Sequence, residues 1–144
     1  MTSVKKSRTV AFSCEQMYGL VNEVEQYSEF LPYCIESKVH HRNSDEVQAT
    51  LVISAAGMSK SFTTRNLLQV NKMIEIRLVD GPFSHLEGFW RFDEADTGCK
   101  ISLDLEFEFA GKIVSMLLGP VFEQVTDKMV DAFCDRAEVV YAKS

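Results

Sequence analysis

Apolar and polar residues alternate without a break from Lys100 to Phe109. Ile101, Leu103, Leu105, Phe107 and Phe109 fall on one side, and Ser102, Asp104, Glu106 and Glu108 on the other. A period of two describes a strand with one buried and one wet face, as in an antiparallel sheet covered on one side. Lys72–Val79 repeats it with Ile74, Ile76 and Leu78, and His85–Phe92 with Leu86, Gly88, Trp90 and Phe92. Val47, Ala49, Leu51 and Ile53 mark a fourth strand, Phe62–Gln69 a weaker fifth, and Cys34–His41 a sixth. The connections are Asn43-Ser44-Asp45, Ala56-Gly57, Asn71-Lys72, Asp80-Gly81-Pro82 and Asp96-Thr97-Gly98. They suit hairpins and are too short for the crossover helices of a parallel sheet. An antiparallel meander follows.

Helices are expected at the two ends. Ser13 with Gln16 reads as a capping box ahead of Met17, Leu20, Val21 and Val24. A second short segment near Ser28–Leu31 is stopped by Pro32. Leu118, Val121, Phe122, Val125, Met129, Phe133, Ala137 and Val140 recur at threes and fours, which predicts one long amphipathic helix. Gly119-Pro120 predicts a kink or a fresh start in it, because proline removes a helical N–H. A strand over about Lys5–Phe12 precedes all of these. The 144 residues carry no linker and no repeat, so residues 1–144 read as one domain. A twisted sheet with one apolar face must wrap something, and only the C-terminal helix is long enough. Such a grip leaves a cavity suited to an apolar ligand wherever facing side chains do not meet.

Charge narrows the partners. Fifteen Lys and Arg against 21 Asp and Glu give a net charge of −6. Binding to DNA rests on phosphate neutralisation and is not expected. Lys5, Lys6 and Arg8 form a basic stripe that reads as protection of an edge strand. Cys14, Cys34, Cys99 and Cys134 form no C-x-x-C pair, so four free thiols in a cytoplasmic protein are expected. No signal peptide and no membrane-length apolar run is visible. His40 and His41 point to opposite strand faces and His85 stands alone, so no metal site is expected. Glu106 and Glu108 face solvent, and no nucleophile or phosphate-loop motif occurs, so no catalytic residue is assigned. Arg77 is expected to point outward, and Arg65 is left open.

Tyr27-Ser28-Glu29-Phe30-Leu31-Pro32-Tyr33-Cys34 resembles the Y-x-x-F-L-P-x-C signature of the coenzyme-Q-binding START-domain family. Phe62–Asn66, Ile76–Phe83, Leu86–Phe92 and the stretch from Phe122 to Phe133 resemble it too, in the same order. The resemblance implies an α+β START-like helix-grip fold of the polyketide cyclase superfamily: a curved antiparallel sheet around a long C-terminal helix. It implies two functions. One is holding a polyprenyl quinone such as ubiquinone for respiration, as a non-enzymatic carrier or chaperone at the periphery of the inner membrane. The other is that of the bacterial ribosome association toxin in the same family, which binds the large ribosomal subunit and blocks subunit joining.

Candidate ligand contacts follow from these readings. Phe30, Leu31 and Tyr33 form a lid, with the Tyr33 hydroxyl offered to a headgroup, though packing beside Pro32 is the commoner role. Leu78, Phe83, Leu86, Trp90, Phe92 and Phe107 supply the sheet wall. Met116, Leu117, Val121 and Val125 supply the helix wall. Ile113–Phe122 is apolar almost all round, so it is either buried on every side or faces a cavity, a partner or a bilayer, and it is the expected gate. Gly88 marks a bend in the sheet or, second, room for a ligand tail. Beyond the bound quinone no cofactor is expected.

Overall fold

The computed structural model describes residues 1–55 and 57–141. Seven strands form one antiparallel sheet: β1 (Thr2–Val10), β2 (Cys34–Arg42), β3 (Glu46–Ala55), β4 (Met58–Gln69), β5 (Met73–Asp80), β6 (Phe83–Ala95) and β7 (Gly98–Phe109). Their spatial order is β1-β7-β6-β5-β4-β3-β2, so β2 to β7 run as a meander and β1 closes the far edge against β7. Ala56, in the expected Ala56-Gly57 turn, lies outside the described residues. The first strand spans Thr2–Val10, three residues earlier at its start than its apolar pattern indicates.

Helix α1 (Cys14–Asn22) starts on the expected capping box, in which Ser13 and Gln16 exchange side-chain bonds with each other's backbone N–H. A 3-10 turn over Val24–Glu29 follows, earlier than the segment expected near Ser28–Leu31. Helices α2 (Lys112–Asp127) and α3 (Met129–Tyr141) pack against the inner sheet face.

Two expectations need correction. Helix α2 runs through Pro120, so no fresh start falls there, and the break comes at Lys128 instead. Pro120 loses only one backbone bond, while buried Leu118 and Phe122 anchor the chain on both sides of it. At the break the Thr126 hydroxyl donates back to Phe122 O at 2.9 Å and Glu123 O at 3.2 Å, a back-bond that bends helices. The four cysteines are not all free. Cys14 and Cys99 form a disulfide with their Cα atoms 5.0 Å apart, while Cys34 and Cys134 are buried thiols. A pairing across 85 residues is invisible to spacing alone.

Aromatic contacts organise the core in two groups. Phe122 from α2 meets Phe62, Phe83, Phe107 and Phe109 of the sheet, with ring centroids 4.7–5.7 Å apart. Phe133 from α3 meets Tyr27, Phe30 and Trp90. Between these two groups the packing is incomplete.

Candidate ligand cavity

The gap is a cavity of about 70 Å³ between the inner sheet face, the C-terminal half of α2 and the 3-10 turn. Phe122, Val125, Thr126 and Met129 form its helix side. Leu86, Trp90, Leu103 and Leu105 form the floor, and Val24, Tyr27, Leu31 and Cys34 approach from the 3-10 turn and the start of β2. Strands β3 to β5 contribute Leu51, Ile53, Phe62, Thr64, Asn66 and Ile76.

No charged side chain lines it among the described residues. Its two titratable groups are kept protonated by burial, which pushes the Cys34 thiol up to about 11 and the Tyr27 phenol well above its ordinary value. The Tyr27 hydroxyl donates to Val21 O, and Cys34 Sγ lies 3.6 Å from Glu36 O. The Thr126 hydroxyl is bonded to its own helix. Thr64 and Asn66 hold each other by one hydrogen bond, the Thr64 hydroxyl donating to Asn66 Oδ1 at 3.2 Å.

Of the residues expected to touch a ligand, Leu31, Leu86, Trp90 and Val125 line the cavity. Phe30 instead packs on Tyr27 and Phe133, with the Arg136 guanidinium 5.2 Å from its ring centroid. Phe83 and Phe107 belong to the Phe122 group, and Phe92 stacks edge-on against Tyr18. Leu78 and Val121 are half-buried and stand outside the lining. Tyr33 is exposed, held at φ 64°, and contributes a backbone carbonyl to Ser54 N rather than a cavity wall. Met116 and Leu117 are exposed on the outer face of α2. Periodicity could have found Thr64 and Asn66, the polar residues at inward positions of β4.

Gly88 is explained by the sheet itself. A Cβ there would collide with Asp104 O and lie 2.8 Å from Leu105 Cα, so β6 and β7 need glycine to approach this closely. Arg65 and Arg77 both point outward, beside Glu46 at 3.9 Å and Glu75 at 2.9 Å. The basic stripe on β1 is paired with acids: Lys5 with Asp104, Lys6 with Asp127 and Arg8 with Asp131. His85 does not stand alone. Its Nε2 lies 3.6 Å from Glu87 Oε1, and one ligand atom each of His85, Glu87 and Glu106 fall within 4.8 Å of one another on the outer face. The pairing of β6 with β7 sets Glu87 opposite Glu106, a neighbourhood that linear spacing does not reveal.

A helix grip around an apolar cavity agrees with the family whose model matches residues 10–134, described as polyketide cyclase / dehydrase and lipid transport. The chain belongs to this family. A Vibrio cholerae member named ribosome association toxin RatA is 44% identical over 144 residues, covering 99% of this chain and 100% of its own. A Xenopus laevis relative named coenzyme Q-binding protein COQ10 homolog B, mitochondrial, is 31% identical over 145 residues, covering 96% of this chain and 59% of its own. Among solved structures, a STAR-related lipid transfer protein from Xanthomonas axonopodis superposes with a TM-score of 0.77 at 11% identity, covering 92% of this chain and 83% of that one. That likeness is one of fold, and it places the architecture among the START-like proteins. No helix among the described residues is long and apolar enough to cross a membrane.

Proposed function

We propose that this chain binds and releases a polyprenyl lipid, a ubiquinone-like molecule, in the cavity between α2 and the sheet. The observation that carries the reading is an interior lined mainly by apolar groups and, among the described residues, by no charge, in a fold family whose description includes lipid transport. Burying an isoprenoid tail is worth roughly 0.8 kcal/mol per methylene, ample to draw it from water. Extraction from a bilayer gains nothing of the kind, since the tail is already in an apolar medium. The protein then matches the membrane rather than outcompeting it, as suits a reversible carrier. With Tyr27 and Cys34 held protonated, the interior favours binding over acid–base chemistry.

The cavity is smaller than its cargo. An engineered cavity of about 150 Å³ takes a benzene ring, and this one is about 70 Å³. Loading therefore requires α2 or its side chains to move outward. The outer face of α2 suits an approach to lipid, because Ile113, Met116, Leu117 and Pro120 stand exposed at helical spacing, with Lys112 at the start. Membrane contact through this face is part of the proposal.

The test is native mass spectrometry and solvent extraction of the purified protein, followed by addition of ubiquinone. Protein that is isolated empty and takes up no added quinone overturns the carrier reading. A second reading, association with the large ribosomal subunit, is supported by the name of the Vibrio cholerae relative. The paired state of Lys5, Lys6 and Arg8 weighs against rRNA contact through that stripe. Cosedimentation with large subunits on a sucrose gradient tests it directly, and its absence at low salt retires it.

A further inference from the structure

Strand β4 breaks the rule that shapes the rest of the sheet. Its buried positions are Phe62, Thr64 and Asn66, and the last two are polar. Both are buried, each only 8% exposed. Their cross-strand neighbours are apolar, Ala49 and Leu78 beside Thr64, Val47 and Ile76 beside Asn66. A packing role alone would be served by valine or leucine at both places.

The hydrogen-bond inventory of the pair is incomplete. A primary amide offers two N–H donors and an acceptor oxygen. Asn66 uses the oxygen toward the Thr64 hydroxyl, and its amide nitrogen has no hydrogen-bond partner among the described residues. The nitrogen is not closed off as the unpartnered Tyr18 Oη, Asn22 Oδ1 and His85 Nε2 are, and Asn66 lines the cavity, so it is free to bond what enters there. An acceptor on the occupant would take the place of water. It has to be uncharged. No cationic side chain lines the cavity among the described residues, and the nearest arginines in sequence, Arg65 and Arg77, are turned outward onto Glu46 and Glu75. A carboxylate or phosphate carried inside would lose its hydration with nothing of opposite charge to meet it.

We propose that Asn66, held in place by Thr64, selects the headgroup of the cargo, accepting a neutral molecule with a carbonyl-type oxygen and rejecting anionic lipids. This rests on the reading of the cavity as an apolar-ligand site and specifies the chemistry at its polar end.

Trp90, the chain's one tryptophan, lines the same cavity and reports occupancy by its fluorescence. Three probes that each carry a ten-carbon chain separate the possibilities: decyl-ubiquinone, decanoate and decylbenzene. Wild-type protein is expected to bind the quinone at least about tenfold more tightly than decanoate. Asn66→Leu is expected to weaken the quinone about tenfold, the value of one hydrogen bond, with decylbenzene within about twofold of wild type. Should Asn66→Leu fail to fold, Thr64→Val, which preserves shape, carries the test with a several-fold loss for the quinone alone. Unchanged quinone affinity in the variant that folds overturns the assignment and leaves the apolar-cargo reading standing. So does equal loss of all three probes, which would make the pair a packing element, and so does a wild-type preference for decanoate. Failure of the wild type to bind any probe overturns both readings together.

Discussion

Filling the cavity should stabilise the fold and abolish its use. Val125 lies on α2, 4% exposed, with its side chain on the cavity wall. Val125→Phe adds four carbons and directs a ring into the gap. Unfilled space costs about 24 cal/mol per Å³, so a 70 Å³ cavity represents about 1.7 kcal/mol available to a side chain that fills it. The unfolding entropy at about 2.1 cal/mol/K per residue, over 144 residues, converts this to a rise in Tm of at most about 6 °C. Thermal unfolding followed by circular dichroism measures the gain, and quenching of Trp90 by decyl-ubiquinone measures uptake. The expected outcome is a Tm at or above that of wild type together with loss of quenching. Two results would refute the reasoning. A Tm several degrees lower, the signature of overpacking at about 1–3 kcal/mol, means that the space is not there to fill. Unchanged uptake means that the ligand sits elsewhere.

Phe133→Ala, at a fully buried ring that contacts Tyr27, Phe30 and Trp90, should cost about 3–5 kcal/mol in urea unfolding; a loss below about 1 kcal/mol contradicts its place at the centre of the core. The double change Met116→Lys, Leu117→Lys should leave stability within about 0.5 kcal/mol but reduce flotation with vesicles, and unreduced flotation removes α2 as the membrane-facing surface. Burial raises the Cys34 and Cys134 thiols from 9.0 to about 11, so the unfolded chain ionises first. Stability should be flat with respect to these groups below about pH 9 and decline through pH 11, and Cys34→Ala with Cys134→Ala should remove the part of the decline that starts near pH 9; a slope unchanged in the double variant assigns the decline to other groups, Tyr27 first among them. Reducing the Cys14–Cys99 link, which closes a loop across 85 residues, should lower the unfolding free energy by about 2–4 kcal/mol, and an unchanged urea midpoint in reductant contradicts the pairing.

The meander was legible because its signal is local. Each strand alternates within itself, and each connection is too short to permit another topology, so β3 to β7 fall close to where period two puts them. Ser13 and Gln16 act within one turn, and the capping box was legible for the same reason. What escaped depends on distant partners. The Cys14–Cys99 link, the salt bridges that pair the β1 stripe and the approach of His85 to Glu87 and Glu106 exist only once strands are in register. The helix break is an intermediate case. Proline is the stronger breaker by propensity, yet Leu118 and Phe122 are anchored in the core, and the helix ends instead at Lys128, beside the Thr126 back-bond.

The site was less legible than the fold, and the reason is physical. Large aromatic residues attract attention as ligand contacts, but a ring large enough to line a pocket is also large enough to fill one. Phe83, Phe92 and Phe107 do the latter, against Phe122 and Tyr18. A cavity is defined by the residues that stop short. Here these include Thr64 and Asn66, smaller and more polar than the inward positions of a core strand demand. They are also why β4 gives the weaker alternation of the strands in the meander. A local pattern that disagrees with the surrounding fold is retained only where something offsets its cost. In β4 the conflict is confined to two buried residues, both on the cavity wall, bonded to each other. On the proposed reading of the cavity, the weak strand is the part of the sheet shaped for binding rather than for packing.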